Sequence, residues 1–237
     1  LAVLYYRTLR LDPANPRWPG RDKFLLGKGH IGVGLWPILA DLGYFPAAWL
    51  DDFGKMDAPL TDHPSMREVP GVDFSSGALG HNLSVGVGMC LASRFRGGDD
   101  RTFVLLGDGE LHEGQVWEAA MSAAHYRLGN LVAIVDANGT SADGPTSDVM
   151  NIEPVRGRFE AFGRRAVEID GHDVPRIVAT LDALPDARTD VPTGIVARTV
   201  KGKGVSFMET SPREWHLGFL GPDDRQRAEN EIRSRMT

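Results

Sequence analysis

Two apolar runs, each followed at once by glycine and polar residues, decide the fold. They are TFVLLGDGE, residues 102–110, and LVAIVDANGT, residues 131–140. Each run is short, nearly continuous and rich in branched side chains, which is typical of a β-strand buried on both faces. An amphipathic segment at residues 113–127 separates them. The order strand, helix, strand predicts a right-handed crossover between parallel strands.

The same alternation continues along the chain. Further strands are predicted at residues 166–169 and 194–200, and further helices at residues 79–94, 155–162 and 174–184. We therefore expect an α/β fold with a mostly parallel sheet flanked by helices on both faces. The first 75 residues are richer in Pro, Gly and aromatic residues, so we expect them to wrap the sheet as short helices and loops. The charged tail, residues 222–237, is typical of a frayed helix.

Composition bounds the class of protein. The 237 residues are 42% hydrophobic, and 26 Lys and Arg against 32 Asp and Glu give a formal net charge of −6. This acidic balance disfavours binding to nucleic acid or to anionic lipid, and no apolar run approaches the roughly 20 residues of a membrane span. The single cysteine, Cys90, excludes an internal disulfide and a multi-thiolate metal site. We expect a soluble, cytoplasmic protein without a linker, a single domain over residues 1–237, whose gene product has residues before Leu1.

Polar side chains follow both of the deciding strands. Asp108 and Asn138 stand thirty positions apart, one strand–helix–strand unit. Because neighbouring parallel strands lie about 5 Å apart, the loops at their carboxyl ends can supply ligands to one ion. A carboxylate and an amide oxygen, with no thiolate or imidazole, suit Mg²⁺ or Ca²⁺. So few protein ligands require the ion to share its shell with phosphate oxygens.

The glycines beside Asp108 favour the same interpretation. Gly107 and Gly109 let the backbone turn sharply and approach a phosphate closely, and a helix from Glu113 would point its N–H groups at the same place. The alternative is that the Gly-Asp-Gly triplet is only a tight turn and Asp108 only a helix cap. The pairing with Asn138 favours the metal site.

The segments GDGELHEGQVWE, residues 107–118, and DAN, residues 136–138, resemble the thiamine-diphosphate signature, and most closely that of transketolases. Further matching segments follow in the same order: residues 28–30, 70–73, 77–80, 143–146, 170–173, 201–204 and 215–216. The resemblance covers nearly the whole chain, but only the N-terminal, diphosphate-binding domain of a transketolase. It implies that the pyrimidine-binding and C-terminal domains lie on a separate chain of a split enzyme.

The resemblance also implies a cofactor and a metal. Asp108, Asn138 and the backbone carbonyl of Thr140 would hold Mg²⁺, or Ca²⁺ or Mn²⁺ in its place, against the diphosphate of thiamine diphosphate. The cofactor-binding residues that it implies are Lys28, Gly77, Leu79, Gly107, Asp108, Gly109, Glu110, Asn138 and Lys201. For Gly77 and Leu79, a glycine turn before a helix is the alternative interpretation.

Histidines and glutamates take further roles by resemblance. His30, His63 and His216 match histidines that face the reacting carbons, where an imidazole with a pKa near 6.5 can move protons. Glu113 and Glu118 match residues at the interface between subunits, although two solvated helix acids are an equally good interpretation.

The activity that the resemblance implies is transfer of a two-carbon ketol unit from a ketose-like donor to an aldehyde acceptor. The partner would be a C-terminal transketolase-like subunit that supplies the pyrimidine-binding domain and its activating Glu, in an assembly of two copies of each chain. Two alternatives stay open: a subunit of a 2-oxo acid decarboxylase or dehydrogenase, and a non-catalytic assembly paralogue. The chain departs from the family pattern at residues 80–82 and at His112, so the substrate is undetermined.

Overall fold

Five parallel strands form one sheet in the computed structural model, which describes residues 1–235. The strands are β1 (Lys23–Leu26), β2 (Thr102–Gly107), β3 (Leu131–Ala137), β4 (Arg165–Asp170) and β5 (Thr193–Arg198). They lie in the order β1-β2-β3-β5-β4, and every neighbouring pair is parallel. All four predicted strands are confirmed, within two residues at each end.

Eight α-helices accompany the sheet over the described residues. They are α1 (Gly32–Asp41), α2 (Asn82–Phe95), α3 (Gly114–His125), α4 (Thr146–Val149), α5 (Val155–Ala161), α6 (Val174–Asp182), α7 (Ser206–Thr210) and α8 (Pro222–Ser234). The four predicted helices are α2, α3, α5 and α6, and α8 confirms a helix in the charged tail. The last two residues of that tail prediction lie outside the described residues. The helix predicted at residues 79–94 begins only at Asn82, because Gly80 takes a left-handed conformation with a φ of 82°.

The expectation for the first 75 residues was wrong in one respect. They contribute β1, an edge strand of the sheet, in addition to α1 and shorter turns. Three of its four residues, Phe24, Leu25 and Leu26, are buried. A run of this length has too few positions to show a strand periodicity, so the pattern did not reveal it.

Successive strand residues point to opposite faces of the sheet, and each face has its own apolar core. One core joins Leu25, Val104, Leu131 and Ala133 to side chains of α2, α3 and α5, which are Leu83, Val87, Ala120, Ala123 and Phe159. The other core joins Phe24, Phe103, Val132 and Ile195 to the N-terminal segment and α6, through Leu4, Tyr5, Trp36, Leu39 and Leu181. The predicted layers on both faces are therefore confirmed.

The parallel register places the carboxyl ends of the strands at one edge. Leu26 of β1 pairs with Leu105, Gly107 of β2 pairs with Asp136, and Ala137 of β3 pairs with Arg198. The segments that leave β1, β2, β3 and β5 therefore start side by side. Among residues 1–235, no helix has the length and apolar character needed to cross a membrane.

Candidate active site

Asp108 lies directly after β2 and is almost fully buried. Its carboxylate accepts hydrogen bonds from the backbone N–H of Gly109 at 2.9 Å and of Gly139 at 2.5 Å. The second bond joins it to the loop after β3, in the residue next to Asn138. Burial raises the pKa of Asp108 and outweighs the two N–H donors, which lower it. Within residues 1–235 the carboxylate takes part in no salt bridge. A bound cation would therefore supply the positive counter-charge that this buried carboxylate needs.

Asn138 and Thr140 face the same cavity as Asp108, which has a volume of about 250 Å³. The side-chain oxygen of Asn138 accepts the backbone N–H of Thr140 at 3.0 Å, and its side-chain nitrogen donates to Asp136 at 3.3 Å. The structure thus brings the three predicted metal ligands to one cavity. The described residues contain no cluster of three or more His, Cys, Asp or Glu side chains able to hold a metal. One carboxylate, one amide and one carbonyl would leave positions open for phosphate oxygens.

The two glycines of the Gly-Asp-Gly segment have a different role from the sharp turn expected of them. Neither Gly107 nor Gly109 has a left-handed backbone. A Cβ atom on Gly107 would lie 3.3 Å from the side chain of Lys28, and one on Gly109 would lie 3.1 Å from that of Ser141. These glycines therefore provide room for neighbouring side chains.

The helix expected from Glu113 begins one residue later, at Gly114. A 3₁₀ turn at Gly109–His112 follows Asp108, and α3 begins at Gly114 with Glu113 as its N-terminal cap. The Asp108 carboxylate caps the 3₁₀ turn, so its N-cap role and its candidate metal role coexist. The first α-helical N–H groups therefore lie one residue further along the chain than the sequence suggested.

Glu110 acts on the backbone around the cavity. Its buried carboxylate accepts N–H groups of Gly80 at 2.9 Å and of Gly107 at 3.2 Å. Burial raises its pKa above the ordinary value despite these donors. Glu110 thereby ties the turn before α2 to the end of β2. In that turn Leu79 is partly exposed and lines the cavity, whereas Gly77 lies outside the lining.

Two lysines reach the cavity from different strands. Lys28, just after β1, is largely buried, and its ammonium lies 2.5 Å from an oxygen of Asp136. Lys201, after β5, lies 2.6 Å from Nδ1 of His216. Burial, and then the charge of Lys28, lower the pKa of Lys201. The two predicted lysines therefore line the same cavity at the carboxyl edge of the sheet.

His30 and His216 stack on one another, with ring centroids 5.5 Å apart and 22° between the ring planes. Burial, followed by the charges of Lys28, His216, Lys201 and His63, lowers the pKa of His30 to about 4. Burial, then Lys201 and Lys28, also lower the pKa of His216. Both rings are therefore neutral around pH 7. Because Nδ1 of His216 faces the Lys201 ammonium, its ring proton belongs on Nε2.

The other predicted site residues lie further out. His63 is exposed and outside the cavity lining, although it is near enough that a Cβ atom on Gly77 would lie 3.7 Å from its ring. Glu113 is exposed at the cavity wall, and Glu118 is exposed on α3. The interface role of these two glutamates stays a prediction.

Sequence reasoning gave no role to Asp136 or Thr199. Asp136 is the last residue but one of β3 and contacts Lys28, Asn138 and the hydroxyl of Thr199. Burial alone would raise its pKa, but the Lys28 ammonium and the three hydrogen bonds outweigh burial and lower it. The available signal was an acidic residue two positions before Asn138 at a strand end. No feature of the sequence pointed to Thr199, because its contact with Asp136 depends on β5 lying beside β3.

Comparison with known proteins agrees with this geometry. Residues 1–232 match the family described as "Transketolase, thiamine diphosphate binding domain". The chain is 39% identical to one subunit of the apulose-4-phosphate transketolase of Actinobacillus succinogenes, over 98% of this chain and 83% of that protein. It is 41% identical to a 6-deoxy-6-sulfo-D-fructose transketolase subunit of a Clostridium species, over 88% of this chain and 76% of that protein.

A solved transketolase has the same fold. The crystal structure of transketolase from Campylobacter jejuni superposes with a TM-score of 0.89 at 29% identity, and covers 98% of this chain. This chain spans only 37% of that transketolase chain. The α/β fold and the resemblance identified from the sequence are both confirmed. The chain belongs to the transketolase family, in which it matches the thiamine-diphosphate-binding domain.

Proposed function

We propose that this chain is the cofactor-binding subunit of a split transketolase, which transfers a two-carbon ketol unit from a ketose-like donor to an aldehyde acceptor. The observation that carries the proposal is the buried Asp108 carboxylate, which has no salt bridge among residues 1–235 and shares one cavity with Asn138 and Thr140. Lys28 and Lys201 border the same cavity. This combination suits a divalent cation bound together with a diphosphate.

Asp108, Asn138 and the carbonyl of Thr140 would hold Mg²⁺, with Ca²⁺ or Mn²⁺ as substitutes. Lys28 and Lys201 would neutralise charge on the diphosphate of thiamine diphosphate. When bound, this cofactor supplies the carbanion that cleaves the carbon–carbon bond beside a ketose carbonyl. Glu110 would act through the backbone of Gly80 and Gly107 instead of touching the cofactor.

His30 and His216 would exchange protons with the hydroxyl and carbonyl groups of the donor. Since His30 is neutral near pH 7, its ring has a lone pair that can accept a hydrogen bond from a hydroxyl of the donor. The Nε2–H of His216 would donate a hydrogen bond, because Lys201 occupies its Nδ1 side. His63 would assist from the rim near Gly77.

The partner in this proposal is a C-terminal transketolase-like chain with the pyrimidine-binding domain and the activating Glu. Glu113 and Glu118, both exposed, would lie at the interface with it, in an assembly of two copies of each chain. The names of the relatives support a partner, because they describe those proteins as transketolase subunits. The buried, unpaired thiol of Cys90 supports a cytoplasmic location.

Calorimetric titration of thiamine diphosphate and Mg²⁺ into the two-subunit complex tests the proposal. We expect saturable binding that Asp108→Ala abolishes. Asp170→Asn is the control, since Asp170 also lies at the carboxyl end of a strand but, within residues 1–235, its side chain accepts a hydrogen bond only from the backbone N–H of His172. Ketol transfer should require both subunits. Robust turnover by this chain alone, or binding that survives Asp108→Ala, would refute the proposal.

A further inference from the structure

One carboxylate at the carboxyl edge of the sheet holds side chains from three separate segments. Asp136, the sixth residue of β3, accepts hydrogen bonds at Oδ2 from Lys28 Nζ at 2.5 Å and from Asn138 Nδ2 at 3.3 Å. Its Oδ1 accepts the hydroxyl of Thr199, which follows β5. Both carboxylate oxygens are thus occupied by protein donors. Asp136 is therefore suited to orienting its neighbours and has little capacity left for a direct ligand role.

The contact with Asn138 determines which way its amide points. An ionised carboxylate only accepts hydrogen bonds, so the NH₂ group of Asn138 has to face Asp136. The amide oxygen then lies on the other side, where the backbone N–H of Thr140 takes one of its two lone pairs at 3.0 Å. The second lone pair is available to a cation. Without the carboxylate, only the N–H of Thr140 would oppose a rotation of the amide by 180°, which would present NH₂ where a cation needs oxygen.

The contact with Lys28 fixes a second group of the candidate site. The stem of this lysine passes Gly107 so closely that a Cβ atom there would lie 3.3 Å from its Cε. Its ammonium ends on Asp136, and the side chains are only 11% and 26% exposed. A lysine confined in this way loses little freedom when an anion binds beside it.

We propose that Asp136 is a positioning residue, which orients the Asn138 amide oxygen toward a divalent cation and holds the Lys28 ammonium beside the diphosphate. This inference rests on the function proposed above. Outer residues that orient metal ligands typically change metal affinity by about 10- to 100-fold when they are replaced. The cation requirement is therefore the property that Asp136 should control.

The test measures the Mg²⁺ concentration that half-saturates thiamine diphosphate binding to the two-subunit complex. Asp136→Asn should raise this concentration by about 10- to 100-fold, and saturating Mg²⁺ should restore the affinity for thiamine diphosphate to within about threefold. The double variant Asp136→Asn with Asn138→Ala should need no more Mg²⁺ than Asn138→Ala alone, since Asp136 acts on the cation through that amide.

Two further variants calibrate the result. Asp170→Asn makes the same change of charge at the end of β4 and should leave the Mg²⁺ requirement unchanged. Asp136→Glu keeps the charge but displaces the acceptor by one methylene, so it should also raise the requirement, by less than Asp136→Asn does. The thermal unfolding midpoint of each variant shows whether it folds. If Asp136→Asn does not fold, the result for Asp136→Glu decides the test.

The outcomes are distinct. If wild-type protein binds the cofactor and both Asp136 variants need no more Mg²⁺ than wild type, this inference is wrong and the proposed function stands. If the variants lose cofactor affinity equally at every Mg²⁺ concentration, Asp136 does not act on the cation through the Asn138 amide, and the inference is again wrong. If wild-type protein binds neither Mg²⁺ nor thiamine diphosphate, the proposed function fails and this inference fails with it.

Discussion

Replacing Lys28 with Met should raise the pKa of His30. The pKa of His30 lies at about 4, against an ordinary 6.5, because of burial first and the charge of Lys28 second. Methionine keeps most of the lysine stem, so burial persists and only the charge is lost. For a representative charge separation of about 8 Å, a unit charge contributes roughly 0.5 to 2 kcal/mol for effective dielectric constants between about 80 and 20, which is about 0.4 to 1.5 pH units. We therefore expect the pKa of His30 in the variant to lie at about 5, still below its ordinary value.

The measurement is an NMR titration of the histidine ring protons, with His30→Asn to assign the signal. Lys203→Met is the matched control, since Lys203 is exposed and pairs with Glu209 at 3.9 Å. Because the unfolded chain binds this proton more tightly than the folded chain, stability should fall as the pH drops from about 6.5 to 4, and Lys28→Met should reduce that loss. A wild-type pKa above 6 for His30, or a pKa in Lys28→Met that is unchanged or lower, would refute the electrostatic account.

Two other comparisons test the site and its support. Asn138→Ala should weaken binding of thiamine diphosphate and Mg²⁺ more than His216→Ala does, whereas His216→Ala should mainly lower kcat; paired calorimetry and kinetics with the opposite ranking would contradict these roles. Gly27→Ala should lower the free energy of unfolding by about 1–3 kcal/mol, because the new methyl group overpacks the site. Its Cβ would lie 2.6 Å and 2.7 Å from the carboxylate oxygens of Glu110. Gly88 is an exposed position of α2, and no described atom outside its own helical turns lies within 4 Å of the new Cβ. Gly88→Ala should therefore raise the free energy of unfolding by about 0.5–1 kcal/mol. Urea unfolding distinguishes the two variants, and equal effects would show that the contact with Glu110 is relieved at no cost.

The pairing of Asp108 with the Asn138 loop was predictable because it depends on short-range information. Each residue follows a strong strand, and parallel neighbours bring their carboxyl ends together whatever the details of packing. The same logic located β2, β3, β4 and β5. The sequence did not predict β1, because four residues are too few to show an alternation of apolar and polar side chains. This segment is a strand because it pairs with β2.

The polar contacts within the site were less predictable. The bond between Asp136 and Thr199 joins residues 63 positions apart, and it exists only because β5 inserts between β3 and β4. The stacking of His30 on His216 likewise depends on how two loops from different strands are placed. Residue types at fixed spacing do not carry that information. The resemblance supplied the two histidines as candidates, and the structure supplied their geometry and neutral charge state.

Four site residues follow four different strands, and all four strands are parallel. These residues are Lys28, Asp108, Asn138 and Lys201. Parallel strands require long crossovers, so these residues converge only through contacts distant along the chain, which form slowly during folding. A ligand that needs all four segments would recognise the completed sheet and none of its parts. Such a ligand would slow unfolding while leaving the folding rate unchanged, and adding it to a refolding mixture would prolong the lifetime of the native chain without hastening its formation.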